Sequence, residues 1–95
     1  MDNRDLVAWN LRKLRVAKGI SQEKLGLEAG IARTYVSRLE RGEENPTVGL
    51  LDRLAKALSV RTTDFFKPKL SGEKRSPGLQ AGRKPPSPRK RTGSR

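Results

Sequence analysis

The sequence contains no cysteine and no histidine among its 95 residues. The lack of cysteine excludes a disulfide framework, and the lack of both residue types excludes the Cys/His ligand sets of structural zinc sites. The thiol and imidazole groups that most small hydrolases use as nucleophile or base are also missing. We therefore expect no catalytic residue, no metal site and no cofactor, and we interpret the protein as a non-enzyme.

Apolar residues are scarce, since they make up 33% of the chain and include only four aromatic residues. No apolar run approaches the roughly 20 residues of a membrane-spanning helix. The first ten residues, MDNRDLVAWN, contain two acids and lack the apolar segment of a secretory signal. We therefore predict a cytoplasmic protein with no membrane partner.

Acidic residues are few, because 10 Asp and Glu stand against 22 Lys and Arg and leave a net charge of +12. Residues 1–66 hold 12 basic and 9 acidic side chains (12 − 9 = +3), whereas residues 67–95 hold 10 basic ones and one acid (10 − 1 = +9). A charge of this size predicts an anionic partner. No amphipathic or lipidated segment points to a membrane, so we expect nucleic acid.

The strongly basic segment also contains five of the six prolines and only three apolar side chains. Such a composition buries too little surface to offset the entropy of ordering the chain. We therefore predict a folded domain over residues 1–66 and a disordered Pro/Lys/Arg-rich tail over residues 67–95. The tail is expected to add nonspecific DNA affinity. A partial similarity of Gly82–Pro85 to an AT-hook, with Ala81 where Arg is usual, leaves a minor-groove role open.

Helical periodicity fits the whole domain and strand alternation fits none of it, which predicts a compact all-α fold of five short helices. The helices are expected over about residues 4–18, 22–29, 33–41, 48–58 and 62–66. Residues of high capping propensity precede three of these helices, and glycines end three of them. The expected N-caps are Asn3, Ser21 and Thr47, and the expected terminal glycines are Gly19, Gly30 and Gly42.

The apolar positions on one face of each helix predict the core. They are Val7, Leu11, Leu14, Leu25, Ala29, Ile31, Val36, Leu39, Leu51, Leu54, Ala55, Leu58 and one of Phe65 and Phe66. Trp9 lies off this stripe, and we expect it to pack against the fifth helix. Apolar groups around Leu50, Phe65 and Phe66 are consistent with either a satisfied core or a dimer interface.

The segment from Gln22 to Arg41 has the spacing of two short helices that cross steeply. Gly30 is placed for the turn, and Gly26 is the small residue that lets the two backbones approach. If the apolar positions face the core, one face of the second helix is polar and points outward. That face carries Arg33, Thr34, Ser37, Arg38 and Arg41. Arginine with small hydroxyl side chains suits the base edges of the DNA major groove.

A longer set of motifs surrounds this segment: GISQxxLxxxAGI, then YVSRLERGEENPT, then LxxLAKAL. Together they closely resemble the phage repressor/Cro, or XRE-type, helix-turn-helix family, over about residues 4–66. The resemblance implies a lambda-repressor-like five-helix domain that binds double-stranded DNA and regulates transcription. It also implies a homodimer on a pseudo-palindromic operator, with the second motif helix in the major groove.

The resemblance assigns roles to individual residues. Those at base-reading positions are Arg33, Thr34, Ser37 and Arg38. Those at phosphate-contacting positions are Gln22, Arg41, Asn45 and Thr47. Tyr35 is expected either to contact a phosphate or to pack beneath the helix. Arg15 and Glu40 match a structural ion pair between the first and third helices. Glu43 and Glu44 are interpreted as solvent-facing loop charges.

Three positions depart from the family pattern. Ala32 stands where Ser or Thr usually caps the third helix, a loss of roughly 1 kcal/mol of local stability. Lys24 stands where a Glu would complete a capping box with Ser21. Gly26 replaces the commoner Ala, which weakens its helix by about 0.5–1 kcal/mol. None of the three alters the DNA-binding interpretation.

The resemblance leaves other roles open. The main alternative is an antitoxin or adaptor that uses the same scaffold to bind a protein partner. A contact with RNA polymerase is a further option, and the family implies a bacterial or phage source. The operator, the inducing signal and the choice between repression and activation do not follow from the sequence.

Overall fold

The computed structural model describes residues 2–69, where four α-helices are followed by one short 3₁₀ helix. The elements are α1 (Asn3–Ala17), α2 (Gln22–Ala29), α3 (Arg33–Glu40), α4 (Val48–Leu58) and the 3₁₀ helix (Thr62–Phe66). Within residues 2–69 there is no strand, so the all-α prediction is confirmed for this range. The expected fifth helix is a 3₁₀ segment rather than an α-helix. The predictions for residues 70–95, which include most of the basic tail and the AT-hook-like Gly82–Pro85, lie outside the described residues.

Helix N-termini are capped by side-chain oxygens at three of the four α-helices. The predicted caps Ser21 and Thr47 are confirmed, each accepting a backbone N–H at 3.0 Å. The predicted cap Asn3 is wrong, because Asn3 is already helical and Asp2 accepts the N–H of Asp5 at 3.0 Å. Asp2 has the extended backbone that a cap requires, with φ −82° and ψ 178°.

The core lies among the four α-helices. Its side chains are aliphatic, except for one aromatic ring that the 3₁₀ helix contributes. Its fully or almost fully buried members are Val7, Leu11, Leu25, Ala29, Val36, Leu39, Leu51, Leu54, Ala55, Leu58 and Phe65. Leu14, Ile31 and Leu50 are half-buried against it. Phe65 is 0% exposed and Phe66 is 42% exposed, so Phe65 is the phenylalanine that belongs to the core.

The α2–α3 crossing depends on two glycines. Gly30 ends α2 with φ +76°, a left-handed conformation that glycine adopts without steric cost. A Cβ on Gly26 would lie 2.7 Å from the carbonyl oxygen of Ile31, which is closer than real Cβ contacts. The backbone of the turn therefore passes directly over α2, and the predicted need for a small residue at position 26 is confirmed.

Asn10 and Trp9 of α1 hold the end of the described chain. The Asn10 side-chain amide donates to the carbonyl oxygens of Phe65 at 2.8 Å and Lys67 at 2.9 Å. Trp9 is buried, and the ammonium group of Lys69 lies 4.3 Å from its ring centroid. These contacts continue one to three residues past the boundary predicted at residue 66. The described chain therefore ends beside α1.

Candidate nucleic-acid interface

The α3 helix has one buried and one exposed face. Val36 is 0% and Leu39 1% exposed, so this face is fixed in the core. Arg33, Thr34 and Arg38 are exposed on the other side. A helix of eight residues is only about 12 Å long at 1.5 Å per residue, so these three side chains form a compact patch.

A buried carboxylate ties α3 to α1. Glu40 is 1% exposed and accepts from Arg15, with Nε–Oε2 at 2.6 Å and Nη2–Oε1 at 3.0 Å. The Nη1 of Arg15 donates to the carbonyl oxygen of Ile20 at 2.8 Å, so all three guanidinium nitrogens are engaged. Arg12 adds a longer contact to Glu40 at 3.5 Å. The two-point geometry restrains the position and rotation of α3 relative to α1.

Gln22, the first residue of α2, takes part in the same buried network. Its Nε2 donates to Oε1 of Glu40 at 3.1 Å, and its side chain is half-buried. An amide nitrogen carries two hydrogens, so one N–H remains for another acceptor. The contact with Glu40 therefore orients the Gln22 side chain, for which the family resemblance implies a phosphate contact.

The C-terminal end of α3 is engaged by two acids of the following loop. Arg38 Nη2 lies 2.6 Å from Oε2 of Glu44. Arg41 donates through Nε and Nη2 to both carboxylate oxygens of Glu43, at 3.0 and 3.1 Å. The same guanidinium donates through Nη1 to the hydroxyl of Ser37 at 2.6 Å. Three of the predicted DNA-contacting residues therefore share one small polar cluster with Glu43 and Glu44.

These ion pairs correct the interpretation of Glu43 and Glu44 as simple solvent-facing charges. The hydrogen bonds from Arg41 hold the pKa of the Glu43 carboxyl below its usual range. The same contact raises the pKa of the Arg41 guanidinium. The sequence carried a signal for this cluster, because two acids follow two arginines within seven residues. Helical periodicity does not extend into a loop and therefore did not reveal it.

The remaining predicted contact residues lie around this patch. Tyr35 is half-buried and packs against the core. Asn45 and Thr47 are exposed in and after the loop, and the Thr47 hydroxyl accepts the N–H of Leu50 as the cap of α4. Within residues 2–69, no group of His, Cys, Asp and Glu side chains is arranged to hold a metal ion. None of the described helices has the length and apolar character needed to cross a membrane.

The crossing of α2 and α3 over a small residue, with a polar outer face on α3, defines a helix-turn-helix domain. The chain belongs to the helix-turn-helix family, whose profile matches residues 11–65. This membership confirms the resemblance inferred from the motifs of residues 4–66 and makes the protein a DNA-binding transcriptional regulator.

Individual relatives agree with this assignment. The chain is 44% identical over 68 residues to an uncharacterized HTH-type transcriptional regulator of Sinorhizobium fredii, covering 72% of this chain and 88% of the relative. A hypothetical transcription factor from Neisseria superposes with a TM-score of 0.68 at 40% identity, over 70% of this chain and 77% of that one. The restriction-modification controller protein C.AhdI from Aeromonas hydrophila superposes with a TM-score of 0.65 at 38% identity, over 66% and 96%.

Proposed function

We propose that the protein reads operator DNA by placing α3 in the major groove. The observation that carries the proposal is the two-faced character of α3, which buries Val36 and Leu39 and exposes Arg33, Thr34 and Arg38. A buried face and the Glu40–Arg15 ion pair keep the helix rigid, so its outer side chains are held at defined positions. Rigid presentation is what sequence-specific base contacts require.

The base contacts that we assign lie along the outer face of α3. Arg33 and Thr34 lie in its first turn, and Arg38 lies a little more than one turn later. Arginine donates two hydrogen bonds to guanine O6 and N7, and threonine reaches base edges or a thymine methyl group. Ser37 is a half-buried fourth candidate that already accepts a hydrogen bond from Arg41.

The phosphate contacts that we assign surround this face. Gln22 contributes its second amide N–H from the start of α2, and Arg41 contributes its guanidinium after release from Glu43. Asn45 is exposed in the loop, and Thr47 contributes backbone rather than hydroxyl donors because its hydroxyl caps α4. Phosphate contacts of this kind fix the register of a domain on DNA without reading sequence. Tyr35 is assigned to the same group through its hydroxyl.

The protein acts as a homodimer in this proposal. A helix-turn-helix dimer binds two half-sites about 34 Å apart, one turn of B-DNA, so the operator is a pseudo-palindrome. Val48 is 81% and Phe66 42% exposed, and these apolar side chains offer surface for a second copy. Regulation follows from occupancy, by blocking or recruiting RNA polymerase at a promoter. Controller proteins of restriction-modification systems are among the chain's structural neighbours, so control of such an operon is one candidate setting.

Selection of bound DNA from a random pool tests the proposal directly. We expect an enriched pseudo-palindrome whose half-sites are one helical turn apart. The Arg38→Ala variant should lose about 1–3 kcal/mol of binding free energy and relax the preference at particular base positions. Lys56→Ala is the control, because Lys56 is exposed on α4 and carries the same charge. A loss that is equal for all sequences would reassign Arg38 to phosphate, and no loss would overturn the placement of α3.

A protein-interaction role, as in an antitoxin or adaptor, is the second candidate. It is supported by Leu27 and Val48, whose apolar side chains are 76% and 81% exposed. Salt separates the two roles, since DNA affinity falls steeply as salt rises and a mainly apolar contact does not. A partner that is retained at high salt while DNA is released would support this second role.

A further inference from the structure

The contact between Glu44 and Arg38 differs from the contact between Glu43 and Arg41. Glu44 binds Arg38 through Nη2 at 2.6 Å and is itself largely covered, with 22% of its side chain exposed. Glu43 binds Arg41 through two nitrogens, and its side chain is 52% exposed. The Arg38 contact uses one of three guanidinium nitrogens, whereas Ser37 and Glu43 together engage all three of Arg41. Arg38 is therefore restrained at one nitrogen, whereas Arg41 is restrained at all three and keeps one hydrogen on each of its two terminal nitrogens.

We propose that Glu44 is a specificity-determining residue that positions Arg38 for base reading and keeps it away from phosphates. The inference rests on the proposed function, in which Arg38 reads a base. In a specific complex, Arg38 keeps its bond to Glu44 and directs its remaining donors at guanine. On other sequences, the same bond and the negative charge of Glu44 disfavour a swing of Arg38 toward the phosphate backbone.

The physical basis is the difference between a base contact and a phosphate contact. A phosphate accepts a guanidinium equally well on every sequence, so an unrestrained arginine raises nonspecific affinity. A carboxylate that holds the arginine over the groove removes that sequence-independent gain. The same contact orders the arginine side chain before DNA binds, so less conformational entropy is lost when the side chain binds its base. Glu44 thereby increases the ratio of specific to nonspecific DNA affinity.

Glu43 serves as the internal comparison. Its partner Arg41 is assigned to phosphate, so phosphate and Glu43 compete for the same guanidinium on any DNA, whatever its sequence. Glu43→Gln should therefore tighten specific and nonspecific binding by the same factor. Glu44→Gln should instead weaken specific binding and tighten nonspecific binding, because Arg38 loses its orientation and becomes free to reach phosphates.

The test measures the dissociation constants of the full chain for the selected operator and for a scrambled duplex at one salt concentration. For Glu44→Gln we expect the ratio of specific to nonspecific affinity to fall about two- to fivefold, the range that an exposed ion pair supports. Glu43→Gln should leave the ratio unchanged. Asp52→Asn controls for net charge, since Asp52 lies on α4 in a surface pair with Lys56. Thermal unfolding of each variant checks that the fold is intact.

A double-mutant cycle locates the effect. In an Arg38→Ala background, Glu44→Gln should no longer change the affinity ratio, because the side chain that Glu44 positions is gone. An unchanged ratio in Glu44→Gln alone, or a change that persists without Arg38, would overturn the role of Glu44. Two other results would overturn the proposed function itself rather than the role of Glu44. They are a wild-type chain that prefers no DNA sequence and an Arg38→Ala variant that keeps the wild-type sequence preference.

Discussion

Glu40 is the residue through which α3 is hydrogen-bonded to side chains of both α1 and α2. It is a buried charge whose oxygens accept from Arg15 and Gln22, with a longer contact from Arg12. Both members of the main pair are almost completely buried, with side chains 4% and 1% exposed. A buried ion pair of this kind adds little net stability over an apolar pair, but the loss of one partner leaves an uncompensated charge. It therefore acts chiefly to specify geometry.

Glu40→Gln should reduce the free energy of unfolding by about 3 kcal/mol, because Arg15 stays buried without a counter-charge. Chemical denaturation measures the change. Glu28→Gln is the matched control, since Glu28 pairs with Lys24 on the exposed face of α2 and such pairs contribute about 0.3–0.5 kcal/mol. If the two variants lose similar amounts, the Arg15–Glu40 pair does not have the structural role that we assign to it.

Among the four α-helices of residues 2–69, α3 is the one whose start is not capped by a side chain. Ala32 occupies the N-cap position with extended backbone, φ −69° and ψ 146°, and no side-chain hydrogen bond. Ser21 and Thr47 cap their helices from nearly the same backbone conformation. The first turn of α3, which carries Arg33 and Thr34, therefore lacks the side-chain cap that stabilises the starts of the other three α-helices.

Ala32→Thr should stabilise the protein by about 1 kcal/mol relative to Ala32→Val, because only threonine supplies an oxygen to the free N–H groups of α3. The two substitutions are matched in shape and differ in the hydroxyl group. The difference between their unfolding midpoints in denaturant measures the cap. Equal midpoints would show that the backbone N–H groups in the first turn of α3 gain nothing from a side-chain acceptor at position 32.

Element boundaries were largely predictable because they depend on local signals. Caps, terminal glycines and apolar periodicity act within one or two turns, so α2 and α4 begin and end at the predicted residues. The cap of α1 was missed by one residue, since Asp2 and Asn3 have similar capping propensity and only the backbone conformation separates them. The 3₁₀ form of the last helix was also missed, because five residues are too few for periodicity to distinguish the two helix types.

Contacts between distant segments were harder to predict. The resemblance supplied the Arg15–Glu40 pair, but no pattern indicated that Asn10 would bind carbonyl groups 55 and 57 residues away. The Arg38–Glu44 contact spans six residues and depends on the path of the loop after α3. Opposite charges at such a spacing do not predict a contact unless the backbone between them is known. The base- and phosphate-contacting roles remain predictions.

At the scale of the whole molecule, most of the net positive charge lies outside the described domain. Residues 70–95 contain eight basic side chains and one acid, a net charge of +7 (8 − 1). The described contacts end with Lys67 and Lys69 against α1, so a truncation after Lys69 keeps every contact described for residues 2–69. We infer that this segment supplies sequence-independent affinity, while α3 supplies the sequence preference.

Removal of residues 70–95 should weaken DNA binding at low salt and flatten its salt dependence. The slope of log affinity against log salt is negative, and its magnitude should decrease by about 0.9 for each phosphate that the removed segment neutralised. The sequence selected from a random pool should stay the same, because phosphate neutralisation does not discriminate between bases. Affinity titrations across a salt series, together with selection experiments on both proteins, measure the two effects.

A full-length variant with the eight basic residues of this segment replaced by glutamine separates charge from length. It should behave like the truncated protein, since its segment has the same length as the wild type but no positive charge. If the glutamine variant keeps wild-type affinity, the segment acts through contacts other than phosphate neutralisation. A shift in the selected sequence after truncation would mean that the segment reads bases itself, as an AT-hook-like Gly82–Pro85 in an A·T-rich minor groove would do. In that case, recognition would be shared between α3 and the segment that follows the domain.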